Sequence, residues 1–99
     1  MTKKKDRMRA ALFGVLWEAY DANRSMRGST ATLEARRRVE ARGHRMGAFT
    51  DVGLRALLDD GSLDIVAGSP TALLDAEVTL HAHAVEASRA RAERNRAKS

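Results

Sequence analysis

Cysteine is absent from the 99-residue chain, proline occurs once, and only four residues are aromatic. Without cysteine the chain cannot form a disulfide framework, a thiolate nucleophile or a cysteine-ligated zinc site. The scarcity of aromatic residues argues against a surface that stacks the bases of RNA or single strands. Phosphate-binding glycine loops, zinc-protease helices and nucleophile elbows are also missing from the sequence. We therefore expect no enzyme activity, no cofactor and no metal site, and no small-molecule substrate is evident.

Long hydrophobic runs are missing as well. The apolar stretch from Ala10 to Trp17 is much shorter than the roughly 20 residues that span a bilayer. It follows the basic residues 3–5 in the manner of a signal peptide, but Glu18 and Asp21 come directly after it and no small-residue cleavage site follows. We expect a cytoplasmic protein without a membrane partner.

Charge is distributed unevenly along the chain. The 18 Lys and Arg residues outnumber 13 Asp and Glu residues and give a net charge of +5. Residues 49–77 carry one basic and six acidic side chains, whereas residues 1–29, 30–48 and 78–99 are each net positive. A basic surface of this kind favours a polyanionic partner. The alternative is that the acidic and basic segments neutralise each other within the fold or between subunits.

The length leaves room for one domain. We predict a mainly α fold, a small four-helix domain with one short strand or hairpin near residues 63–67. Residues 1–88 form the helical domain, and residues 89–99 form a basic C-terminal tail that is frayed.

The first predicted helix runs from about Lys5 to Asn23. One apolar face repeats at steps of three and four residues and consists of Met8, Ala11, Leu12, Val15, Leu16 and Ala19. An adjoining face carries Phe13, Trp17 and Tyr20. Together the two faces cover about two thirds of the helix circumference, so this helix is either central to the fold or meets another chain. We predict a homodimer interface at Phe13, Trp17 and Tyr20.

The second predicted helix runs from about Ala31 to Arg42, with Ser29 or Thr30 as its N-cap and Gly43 at its end. It has few apolar residues and many arginines. If the helix continued past Gly43, Arg38, Arg42 and Arg45 would line one face. The predicted nucleic-acid-binding residues are Arg36, Arg37, Arg38, Arg42 and Arg45 of this segment, with Lys3, Lys4 and Lys5 of the N-terminus.

A third helix is predicted from Thr50, as N-cap, to Gly61, followed by a short extended stretch. The segment Leu57-Leu58-Asp59-Asp60-Gly61-Ser62-Leu63-Asp64-Ile65-Val66 resembles the junction after the recognition helix in winged-helix DNA-binding domains. The resemblance implies that this helix would lie among phosphates. Its charges argue against that role, since the helix carries three acidic residues, Asp51, Asp59 and Asp60, and only one basic residue, Arg55. No clear pair of wing strands follows in the sequence, so the arginine-rich second helix is the better candidate to touch DNA.

A fourth helix is predicted from Ser69-Pro70, which form a favourable N-cap and first turn. Acidic residues early and basic residues late agree with the helix dipole. Residues 78–84 also alternate like a strand, which leaves the assignment open. On a helix, His81 and His83 would point about 200° apart and could not share a metal ion, and His81 would pair with Glu77. On a strand they would face the same side, and a metal site would become possible.

Two functions agree with these features. The first is double-stranded DNA binding by a small transcription regulator or accessory protein, through phosphate contacts of the second helix. The second is a helical adaptor or assembly subunit, in which the acidic segment of one copy binds a basic segment of its neighbour.

Overall fold

The computed structural model describes residues 3–97, and the side chains from residue 5 onward. Within this range the chain forms four α-helices and three short strands. In chain order they are α1 (Lys3–Asp21), β1 (Met26–Arg27), α2 (Gly28–Ala41), α3 (Val52–Asp59), β2 (Leu63–Ala67), β3 (Glu77–Leu80) and α4 (Ala82–Ala97). The predicted mainly α fold with a small hairpin is confirmed.

Helix α1 forms the centre of the core, as its apolar repeat predicts. Leu12 and Leu16 are fully buried, and Met8, Val15 and Ala19 are at most 4% exposed. The helix contacts α2, α3 and β3, so residues spaced by three and four positions reach three different elements. Neither α1 nor any other helix within residues 3–97 is long and apolar enough to cross a bilayer.

The β3 strand corrects the prediction of a continuous fourth helix. It is the central strand of an antiparallel sheet in the order β1-β3-β2. Val78 and Leu80 are buried and alternate with half-buried neighbours, as the period of two in this segment allowed. Backbone hydrogen bonds to β1 on one side and β2 on the other stabilise the strand more than the order of acidic and basic residues favours a helix. Helix α4 therefore begins only at Ala82.

The dipeptide Ser69-Pro70 makes a turn instead of a helix start. The Ser69 hydroxyl accepts a hydrogen bond from the Thr71 amide at 3.2 Å, a local bond that competes with helix formation. A single 3₁₀ turn at Leu73–Asp75 then leads into β3. The turn connects β2 to β3, and the two strands pair as an antiparallel hairpin.

The N-terminus of α2 has no side-chain cap, contrary to the prediction of Ser29 or Thr30. Strand β1 runs directly into the helix, and the Gly28 amide donates to the carbonyl oxygen of Ala76 at 2.8 Å. This backbone bond satisfies a donor that a cap would otherwise serve. The helix therefore begins at Gly28, three residues earlier than predicted.

Two histidines lie at the start of helix α4, His81 just before it and His83 in its first turn. His81 Nδ1 accepts a hydrogen bond from the His83 amide at 3.1 Å, and the two ring centroids are 4.9 Å apart. The divergence expected for two helical histidines does not arise, because His81 precedes the helix and its ring nitrogen caps the first turn. The predicted pair with Glu77 is also absent among the described residues, since Glu77 accepts a hydrogen bond from Ser25 instead. The helix continues to Ala97, and fraying of the basic tail stays a prediction.

Candidate nucleic-acid interface

The three consecutive arginines of α2 point in three directions. Successive residues of an α-helix are rotated by about 100°, and the buried face of α2 contains Ala31, Ala35 and Val39. Arg36 and Arg38 therefore flank this face on opposite sides, and the exposed Arg37 points away from it. The three guanidinium groups cannot meet one phosphate backbone together.

Arg38 is held inside the chain by two carboxylates. It donates to both carboxylate oxygens of Glu18 on α1 at 2.8 Å, and to Glu34 one turn earlier at 3.3 Å. The hydrogen bond from Arg38 lowers the pKa of Glu18 below its usual value. The same bond raises the pKa of Arg38, so the pair stays charged at every physiological pH. Arg38 is thus less available to phosphates than the sequence indicated.

Arg36 is occupied by the segment between α2 and α3. Its guanidinium donates to the carbonyl oxygen of Ala48 at 2.9 Å and lies 5.5 Å from the centre of the Phe49 ring. A cation over an aromatic ring gains about 0.5–1 kcal/mol at an exposed site. Arg36 therefore fixes this connection to α2.

Arg42 and Arg45 have no ion-pair partner among the described residues. Helix α2 ends at Ala41, and Gly43 leaves the helical path with a positive φ of 87°. The predicted stripe of Arg38, Arg42 and Arg45 on one continuous helix is therefore wrong. Arg42 is the C-cap residue of α2, and Arg45 lies in the following loop.

A groove forms where the first half of α1 meets the end of α2. A cavity of about 130 Å³ is lined by Arg7 and Ala10 of α1 and by Val39, Arg42 and His44 of the second segment. An adjoining cavity of the same size lies between the small residues of α1 and Arg38. We call the surface formed by Arg7, Arg42 and His44, with Arg45 following His44 in the chain, the cationic groove. The predicted Lys5 is exposed but points about 200° away from Arg7 on α1, so it lies on another side of that helix. Neither Lys5 nor the exposed Arg45 has an ion-pair partner in residues 5–97.

Arg7 and His44 were not among the predicted site residues. The available signal was the pattern of Arg7, Ala10, Ala11 and Gly14, which repeats at helical spacing and leaves one side of α1 free of bulk. Small side chains on this side of α1 allow the end of α2 to approach and leave a groove beside Arg7. The side chains of the predicted Lys3 and Lys4 lie outside the described residues.

Helix α3 and the hairpin loop provide little positive charge. Arg55, the single cation of residues 49–77, pairs with Asp51 at 3.3 Å. Asp59 is exposed at the end of the helix, and residues 67–72 of the hairpin loop contain no charged side chain. These charges agree with the sequence-based argument that α3 does not lie among phosphates.

Two more arginines are held by carboxylates of other elements. Arg9 pairs with Asp60, and Arg89 of α4 pairs with Asp21 at 2.6 Å and lies 5.5 Å from the centre of the Trp17 ring. Partial burial raises the pKa of Asp60, but hydrogen bonds from Ser62 and Arg9 outweigh this effect and keep the pKa below its usual value.

The predicted dimer residues form a partly covered aromatic face on α1. Phe13, Trp17 and Tyr20 are each half-buried, and the Phe13 and Trp17 ring centroids are 5.6 Å apart. The Trp17 indole donates to Asp21 at 2.9 Å. Helix α4 contacts this face through Arg89, and association of two copies here stays a prediction.

Comparison with known protein families, curated proteins and solved structures finds no match for this chain. The described residues also contain no group of three or more His, Asp or Glu side chains that could hold a metal ion.

Proposed function

We propose that the chain binds double-stranded DNA through the cationic groove. The observation that carries this proposal is the meeting of Arg7 and Arg42, two arginines from separate segments without carboxylate partners among the described residues. Arginine is suited to phosphate because its planar fork donates two parallel hydrogen bonds.

Salt dependence tests this proposal. If Arg7, Arg42 and Arg45 each neutralise one phosphate, the logarithm of the affinity should fall with the logarithm of salt concentration with a slope of about −2.7. The measurement is a titration of a mixed-sequence duplex at two salt concentrations, with sedimentation of the free protein alongside. Negligible binding at low salt, or a slope near zero, would contradict the proposal.

An assembly function is the second candidate, and exposed carboxylates favour it. Asp59, Asp64 and Asp75 are exposed and have no ion-pair partner in the described part of the chain. Under this proposal they bind the basic α4 of a neighbouring copy. The same sedimentation experiment separates the two functions, because an assembly held by charge dissociates as salt rises while the duplex stays unbound throughout.

Glu18 should act as an internal competitor of phosphate. Its carboxylate accepts hydrogen bonds from both terminal guanidinium nitrogens of Arg38, and Arg38 lines the same cavity as Arg42. We expect Glu18→Gln to raise duplex affinity about threefold and to steepen the salt slope by about 0.9, because one more guanidinium reaches the DNA. The measurement is the same duplex titration on the variant.

Glu40→Gln is the matched control for this prediction. Glu40 is exposed on α2 and has no ion pair in the described residues, so the variant changes the net charge equally without releasing an arginine. If both variants raise the affinity by the same factor, Glu18 acts through net charge alone and does not mask Arg38.

A further inference from the structure

The space between α1 and α4 is a cleft of small-molecule size. Its volume is about 330 Å³, within the range of roughly 300–1,000 Å³ that ligand pockets occupy. The cleft stays open because α4 is anchored mainly at its beginning, where Val85 is its one buried residue. The residues that matter for its chemistry are Arg9 and Phe13 of α1, Ser62 before β2, and Ala87, Ser88 and Arg91 of α4.

Phe13 gives the α1 side of this α1–α4 cleft an aromatic wall, and the small side chain of Ala87 lies on the α4 side. Phe13 is half-buried and its ring is braced by Trp17 at a centroid distance of 5.6 Å. Across the cleft Ala87 offers only a methyl group. This lining favours a flat aromatic ring, since aromatic rings pack well edge-to-face or offset against Phe.

The charge of the cleft selects an anion. Arg9 is neutralised by Asp60, but Arg91 has no partner among the described residues. The surplus is therefore one positive charge, on a side chain that binds a carboxylate through two parallel hydrogen bonds. Ser88 and the 8%-exposed Ser62 add hydroxyl groups along the same lining.

We propose that the α1–α4 cleft binds a small aromatic carboxylate, with the ring against Phe13 and the carboxylate on Arg91. Ala10 lines both cavities, but no charged residue of the cationic groove lines this cleft, so the proposal does not depend on DNA binding. The single negative charge of the ligand neutralises Arg91, the unpaired arginine of the cleft lining, and its rigid ring packs against Phe13. Both parts of the ligand are needed for the expected binding.

The test uses 2-naphthoate as the probe and isothermal calorimetry on the full chain. Trp17 fluorescence gives a second readout, because the single tryptophan contacts the Phe13 ring. We expect saturable one-to-one binding, and we expect the neutral analogue 2-naphthalenemethanol to bind about tenfold more weakly because it lacks the charged group.

Two pairs of variants on the exposed surface of α4 locate the site. Arg91→Gln should weaken 2-naphthoate binding about tenfold, whereas Arg94→Gln, with the same loss of charge outside the cleft lining, should leave it unchanged. Ala87→Leu should block the cleft, and Ala90→Leu should not. All four positions are exposed, so folding is preserved.

Three results would overturn the proposal. The first is the absence of saturable binding at millimolar probe, and the second is equal binding by Arg91→Gln and Arg94→Gln. The third is sedimentation showing a dimer from which Ala87→Leu releases monomer, because a second copy would then occupy the cleft instead of a ligand.

Discussion

Replacing Arg42 and Arg45 together by alanine should lower the affinity for a mixed-sequence duplex about tenfold near physiological salt. Both arginines lack carboxylate partners among the described residues, and Arg42 lines the groove with Arg7. Loss of two phosphate contacts of about 0.7 kcal/mol each corresponds to this factor. The salt slope should become shallower by about 1.8, since two fewer counterions are released.

The control is the double variant Arg24→Ala with Arg27→Ala. These arginines also lack ion pairs in the described chain and follow the far end of α1, about 20 Å from Arg7 along the helix axis. The loss of net charge is the same, so their effect on affinity should stay within about twofold if contact is local. Equal weakening by the two double variants would show that binding follows overall charge and has no defined site.

Gly28→Ala should destabilise the fold on the order of 3 kcal/mol, the largest effect expected of any single substitution discussed. A Cβ at this position would lie 2.0 Å from the carbonyl oxygen of Leu73 and 2.9 Å from its carbonyl carbon. Backbone atoms cannot rotate away as a side chain can, so α2 or the 3₁₀ turn must shift. A domain of this size loses roughly 4–8 °C in Tm per kcal/mol, so thermal unfolding measures the change easily.

Gly14→Ala, the same chemical change, should stabilise the fold instead of destabilising it. Gly14 lies inside α1, and the nearest atom to an added Cβ is Arg38 Nη1 at 3.8 Å, an ordinary contact. We expect a gain of about 0.5–1 kcal/mol, because alanine favours a helix interior over glycine. A Gly28→Ala protein as stable as the Gly14→Ala protein would show that the junction of α2 with the 3₁₀ turn is wrong.

The helices could be predicted from the sequence wherever their evidence is local. The repeat of Leu12, Val15 and Leu16 lies within one helix, and it correctly placed α1 in the core. The same kind of evidence left β3 open between helix and strand, because its pairing partner β1 lies about fifty residues earlier. A strand of four residues with partners on both sides is stabilised by hydrogen bonds that no local pattern contains.

The candidate site was only partly predictable for the same reason. The density of arginines in α2 identified a basic segment, and Arg42 and Arg45 stay available in the structure. The sequence could not reveal that Glu18, twenty residues before Arg38 and on another helix, binds it at 2.8 Å. Nor could it reveal that Arg7 reaches Arg42, since that depends on how α1 crosses the end of α2.

Amide chemical-shift mapping with a duplex tests the central claim most directly. The account predicts that the shifts on adding DNA concentrate in residues 5–10 and 39–47, the two segments that form the cationic groove, and that they diminish as salt rises. Shifts concentrated in α3 and the 67–72 hairpin loop, or no shifts at low salt, would contradict it.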